Sequence, residues 1–228
     1  MRRWRDGEVM AMTRTHWASI AAVVLALLFA GTATVVAAGG DGESAHPVTP
    51  AADSADAGFA RDMAIHHQQA VEMSFIVRDL TDDEDVRTLA YDIANTQANQ
   101  RGMMHGWLSL WELPKVDPGQ KPMAWMAEAG GAHAGHARGA GDGALMAGMA
   151  TPEQMERLKK LKGRAAETEF LQLMIVHHNA GADMAQGCVD LCEVDTQKSL
   201  AQTMVNGQRS EVELMVGMLK ERGAQVRT

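Results

Sequence analysis

The chain has 228 residues and a formal charge of −8. That acidic balance, with no basic patch to release phosphate counterions, argues against nucleic acid as a partner. The length beyond the first forty residues suffices for one domain with a real core. Seventeen Met stand against one Tyr and four Phe, which predicts an adaptable, thioether-rich interior.

Arg2, Arg3, Arg5 and Arg14 precede an apolar run from Trp17 to about Ala38, with small residues Val36-Ala37-Ala38 at its end. This is the layout of an export signal. The run is also long enough to span a bilayer. Residues 1–38 are therefore expected to be a signal peptide or an N-terminal membrane anchor, with the arginines cytoplasmic. Either reading places the remaining chain outside the cytoplasm, and the membrane is a partner if the segment is uncleaved. Residues 39–57, rich in Gly, Ala, Ser and Asp, read as a flexible tether.

The first predicted helix runs from near Asp56 to near Asp79 and carries Met63, His66, His67, Ala70, Met73 and Val77 on one face. Thr81-Asp82-Asp83-Glu84 reads as the capping box of a second helix that runs to about Glu112 and stops before Pro114. On that helix Ile93, Gln97, Gln100, Met104 and Leu108 share a face. Gln97 faces inward and needs a partner: either a His of the first helix, as an outer contact that fixes the ring, or bridging solvent at the helix end. Met103, Met104 and His105 form a candidate exposed copper site near the helix end, and Trp107 and Trp111 read as packing.

Residues 114–150 form an insert with Pro114, Pro118 and Pro122, and with one short helical turn expected around Met123, Trp125 and Met126. Its Gly-rich centre carries His133 and His136, followed by Met146 and Met149. Two readings stand: a mobile ligand arm that captures or hands over a metal, disordered without it, and a plain linker.

Thr151-Pro152-Glu153-Gln154 opens a helix, with Gly163 as a weak point. The next predicted helix, from about Ala165, carries Met174, His177, His178 and Met184, and the last runs from a cap at Asp195 to Glu221, ending at Gly223. Cys188 and Cys192, the only cysteines, return to the His-bearing face. They read as soft ligands, as a disulfide at a distorted helix end, or as small buried residues.

The two halves repeat. With Phe59 set against Phe170 and no gap introduced, 59–108 and 170–219 match at fourteen of fifty positions, including both His pairs, Met63/Met174, Met73/Met184 and Gln97/Gln208. An internal repeat fixes the architecture before anything else. The expected fold is all-α, an antiparallel four-helix bundle over 58–222 built from two hairpins, 59–113 and 151–222. Imidazole with thioether on one face, twice, is a soft ligand set that favours copper, Cu(I) more than Cu(II). The candidate ligands are His66, His67, Met63, Met73, His177, His178, Met174 and Met184. Met104, His105, His133, His136, Cys188 and Cys192 form a weaker tier, and Gln97 and Gln208 are the expected outer partners.

Met-x-x-His-His followed by Met, the Gln-bearing second helix, the duplication and Met149-Ala150-Thr151-Pro152-Glu153-Gln154-Met155 resemble the family called domain of unknown function 305. The resemblance covers about 59–222. It implies a ferritin-like bundle and, as for some members, copper binding and copper resistance in the bacterial envelope. Cys188, Cys192 and Asn179-Ala180-Gly181 depart from the family's common pattern. The residues and the resemblance together point to an exported metal-binding protein, with copper-handling envelope proteins and a second copy of the chain as further partners. The alternatives are a ferritin-like redox enzyme and a helical interaction module with pH-sensitive His pairs. No Glu-x-x-His pair falls on the bundle helices, as a di-iron site would need, and no activated nucleophile is seen.

Overall fold

The computed structural model describes residues 49–127 and 143–227. The signal or anchor segment, His133 and His136 lie outside the described residues. Six helices are described: α1 (Ala55–Arg78), α2 (Glu84–Leu110), α3 (Ala124–Ala127), α4 (Pro152–Lys160), α5 (Gly163–Leu191) and α6 (Asp195–Glu221). No helix among the described residues is long and apolar enough to cross a membrane.

The result is a helical bundle. α1 packs on α2 and α5 packs on α6, each pair joined by a short turn, and the two hairpins meet through α1 and α5. Those two helices are therefore buried nearly all round, which explains why α1 encloses Asp56, Arg61, Asp62 and both histidines along with its apolar residues.

The helix starts show local chemistry and one long-range substitute for it. Ser54 caps α1, its Oγ accepting from Ala57 N at 3.2 Å. Asp83, rather than Thr81, caps α2, accepting from Val86 N at 3.0 Å. Thr81 lies just before it and donates to Glu167 of α5 at 2.6 Å. At α4 the expected capping box of Thr151 and Gln154 is present. The expected cap at Asp195 is not, because Asp195 is already helical and Val194 precedes it without a side-chain cap. The carboxylate of Asp56 does that work from α1, accepting from Val194 N at 2.9 Å and Glu193 N at 3.1 Å. A buried acid thus takes up the N–H groups that lead into a helix start 138 residues away.

At the opposite end, Gly163 N donates to Leu80 O at 2.7 Å, and Arg222 reaches Glu167 and Asp83 at 2.9 and 2.8 Å. Gly163 has φ +51°, so it marks the break between α4 and α5.

The flanks of the insert are packed on the bundle, contrary to the expectation of disorder across 114–150. α3 is the expected helical turn. Asp62 accepts from Met123 N at 2.7 Å and from Trp125 Nε1 at 3.0 Å. Gly58 makes the seat: a Cβ there would lie 2.4 Å from the Trp125 ring.

The apolar interior divides in two. One cluster holds Met73, Val77, Ile93, Phe170, Met174 and Met215. The other holds Phe59, Met63, Met104, Met126, Met146 and Met184. The histidine pairs belong to neither, and they occupy a polar layer between the two.

Candidate metal centre

His66 and His67 lie midway along α1, and His177 and His178 midway along α5. The helices cross there, so all four rings are fully buried. His66 stacks on His177 with ring centroids 3.7 Å apart, and His177 lies 6.1 Å from His178. The stacked pair occupies matching positions of the sequence repeat.

Three of the four rings have a hydrogen whose position follows from a neighbour. His178 Nε2 donates to Glu211 Oε2 at 2.7 Å, and His177 Nε2 donates to the backbone oxygen of His66 at 3.1 Å. His67 Nε2 lies 2.8 Å from Gln100 Oε1. Gln100 and Glu211 also occupy matching positions of the repeat, so Gln100 is given the same accepting role. In all three rings Nε2 then carries a hydrogen, and in His67 and His177, held neutral by burial, Nδ1 carries a lone pair. None of those Nδ1 atoms has a partner. His66 has neither nitrogen hydrogen-bonded; the Ala147 backbone approaches its ring and favours its charged form, outside hydrogen-bond geometry.

Both outer-partner expectations need correction. Gln97 does not hold a His of α1; its Nε2 lies 3.5 Å from His178 Nε2, on the other hairpin, and its Oε1 is unpartnered. Gln208 is buried with both amide atoms unpartnered, its Oε1 2.3 Å from where a Cβ of Gly181 would stand. The residues that fix rings are Gln100 and Glu211, one turn further along the same helices. Their 33-residue offset from His67 and His178 is the same in both halves. The repeat carried that signal, though an amide and a carboxylate at matching positions do not read as one role.

Burial keeps His66, His67 and His177 uncharged. It is the largest cause lowering His66 to about 3, followed by the charges of His67 and His178. It likewise lowers His67 to about 3, against the Gln100 hydrogen bond. His177 is held well below its ordinary range by burial and then by His66. Neutral imidazoles with free lone pairs are metal-ready donors. An N–H fixed on an oxygen with the other nitrogen free is the arrangement of a ligating histidine and its outer partner.

The thioethers flank the layer from both sides. Met63 and Met184 lie in one apolar cluster, Met73 and Met174 in the other, all fully or almost fully buried. Among the described residues, no three His, Cys, Asp or Glu side chains converge on one point. Met104 and His105 are not brought together, since Met104 is buried beside Met63 and His105 is half-buried, near Lys115 and Arg101. Cys188 and Cys192 are bonded to each other, with Cα atoms 4.8 Å apart. Cys192 is the extended C-cap of α5, so the helix ends where the bridge forms. In that state neither sulfur is a thiolate ligand, which corrects the soft-ligand reading.

Fold and site together define a protein that is helical among the described residues, with a buried histidine layer between thioether-rich clusters. Residues 56–219 match the family described as Domain of unknown function (DUF305), and the chain belongs to that family. A crystal structure of a DUF305 protein from Streptomyces coelicolor, inferred to be secreted, is 57% identical, covers 78% of this chain and 99% of its own, and superposes with a TM-score of 0.69. A DUF305 fragment from Deinococcus radiodurans is 28% identical, with 77% and 99% covered and a TM-score of 0.59. CopM in its Cu(I)-bound form is 18% identical, with 73% and 96% covered and a TM-score of 0.55. Its Cu(II)-bound form is 22% identical at the same coverage, with a TM-score of 0.53. No curated protein matches the chain significantly.

Proposed function

We propose that this protein is an exported copper-binding bundle that buffers or carries the metal in the cell envelope. The observation that carries the reading is the row of Nδ1 atoms on His67, His177 and His178 without a partner among the described residues, with neither nitrogen of His66 in hydrogen-bond geometry there either. A buried polar atom without a partner costs about 1–3 kcal/mol, so a concentration of them calls for an occupant. A soft cation fits the donors: neutral imidazoles joined by the thioethers of Met63, Met73, Met174 and Met184. Cu(I), content with two or three such ligands, suits them better than Cu(II). The fold is shared with CopM, a protein seen with copper in both oxidation states, and the secreted relative supports export.

Under this reading the hairpins are duplicated copies of a ferritin-like unit, related by a pseudo-twofold axis between His66 and His177. The role is binding rather than redox catalysis, because among the described residues Glu211 is the one carboxylate hydrogen-bonded to the layer's rings, whereas di-metal bundles use a carboxylate cage. A pH-sensitive packing layer is the second reading, favoured by the depressed imidazoles. The test is metal analysis of protein purified from the envelope, followed by competitive titration with Cu(I), Cu(II) and Zn(II). Replacing His66, His67, His177 and His178 together by Ala should remove most Cu(I) binding. Unchanged Cu(I) stoichiometry and affinity in that variant would sink the proposal.

A further inference from the structure

The histidine layer is sealed, so anything that binds there needs a way in. The segment before α4 lies across it. A Cβ on Gly148 would stand 2.9 Å from Val176 O, 3.5 Å from His177 Cα and 2.3 Å from Ala180 Cβ, so the backbone rests directly on α5 at the histidine. Its neighbour Ala147 approaches His66 of α1. The segment thus covers the stacked pair from both helices.

Its fastenings are few and local. Met146 is buried in an apolar cluster and anchors one end. Thr151, locked in the α4 capping box, anchors the other. Between them Met149 N donates to Met146 O at 3.2 Å within the turn, and Gly148 has φ +75°. Ala150 and Met149 pack on the two apolar clusters, and among the described residues one side chain of the bundle ties the segment by hydrogen bonds. Gln69 of α1 donates to Ala150 O at 2.8 Å and accepts from Ala150 N at 2.7 Å. Beside it opens a cleft of about 360 Å³, lined by Gln69, Met149, Met155, Glu72, Glu156 and Lys159 among others. Lys159 bridges Glu156 at 2.9 Å and Glu72 at 3.9 Å, leaving one negative charge in excess at the mouth.

We propose that the segment 147–150 is a strap that gates the histidine layer, with Gln69 as its latch and the adjoining Met- and Glu-lined cleft as the entrance for a soft cation. Only the identity of the cation rests on the copper reading. A short segment held by two hydrogen bonds from one half-buried amide and by the packing of Ala150 and Met149 opens far more often than the bundle unfolds. Swinging it out exposes His66 and His177 while both anchors stay in place.

The test uses the metal-free full chain. Diethylpyrocarbonate acylates neutral imidazoles, and mass spectrometry reads its rate at His66 and His177. Gln69→Ala removes both latch bonds, and Gly148→Ala wedges the strap away from Val176 and Ala180. Each should speed labelling at these two residues on the order of tenfold, the effect of losing about two hydrogen bonds, while amide exchange in α2 keeps its wild-type protection. Wild-type labelling rates in both variants would overturn the proposal. So would acceleration seen only with loss of α2 protection, since the opening would then be global. In a parallel arm, Cu(I)-loaded protein is mixed with bicinchoninate, and transfer should quicken in both variants. If wild type takes up no Cu(I) yet labelling still accelerates, the gate stands and the copper reading fails.

Discussion

Mild acid should destabilise the metal-free protein through its histidine layer, and the size of the effect follows from burial. In the unfolded chain an imidazole takes up its proton near pH 6.5. Folded His66 and His67 do so only at about 3, because burial opposes the charge. Below pH 6.5 the unfolded state therefore binds more protons than the folded one. The contribution to stability is complete above that pH and is lost as pH falls, levelling off near 3. Each such ring changes stability by about 1.4 kcal/mol per pH unit in that window, or about 2 kcal/mol between pH 7.5 and 5.0. The two together give about 4 kcal/mol, and His177 acts in the same direction. That is a large share of a typical total of about 5–15 kcal/mol. Burial raises the Asp62 and Asp92 carboxyls, which act in the opposite sense, so the comparison stays at or above pH 5. Urea unfolding followed by circular dichroism at pH 7.5, 6.5, 5.5 and 5.0, after chelation of metal, measures the slope. A free energy constant to within about 1 kcal/mol over that range would refute the claim that these rings are held neutral.

Two further outcomes follow from close contacts. Gly58→Ala drives a methyl into Trp125, including its Cβ at 2.8 Å, which no rotamer change relieves. Overpacking of about 1–3 kcal/mol outweighs a helix-propensity gain of about 1 kcal/mol, so the melting temperature should fall by a few degrees with red-shifted Trp fluorescence; an unchanged melting temperature would show that α3 is not seated there. Glu211→Gln replaces the carboxylate holding His178 with the amide that holds His67 in the other half, and should weaken Cu(I) binding about tenfold, as expected for an outer partner; an unchanged affinity would mean that Glu211 does not tune the ring.

Much of this fold is legible in the sequence because the chain states it twice. The gapless repeat and the helical periodicity of its apolar residues locate the four long helices to within a few residues, and the His face of α1 and α5 is the buried face. What stays hidden are contacts between segments far apart in the chain. Asp56 as the cap of α6, Gly58 as the seat of Trp125 and Gln69 as the tie to Ala150 have no local pattern. The packed flanks of the insert escape the sequence for the same reason. Proline and glycine mark where regular structure stops, and they say nothing of whether the irregular backbone finds partners. Thr81 and Asp195 have the composition of caps and do not act as caps, because the register of a helix start is set by tertiary contacts one or two residues away.

The two halves keep their histidine pairs, three pairs of methionines and Gln97/Gln208, and they differ in what surrounds those groups. Gln100 faces His67 where Glu211 faces His178. Ala70 is matched by Gly181, whose missing Cβ leaves room for Gln208 and would lie 3.1 Å from His66 Cε1. Val77 is matched by Cys188, which closes a disulfide at the end of α5. Each difference alters the field, the space or the stiffness around a ring while leaving its nitrogens available. A carboxylate behind an imidazole makes the other nitrogen a stronger donor than an amide does. Under the proposed reading the His178 side therefore binds the cation more tightly, and the His67 side, more weakly polarised, exchanges it faster. The stacked His66 and His177 lie beneath the strap, so a cation entering from the cleft meets that pair first and is then drawn toward Glu211. An exported buffer that must both hold and release its cargo is served by such a graded pair of ends, which a symmetric layer could not provide.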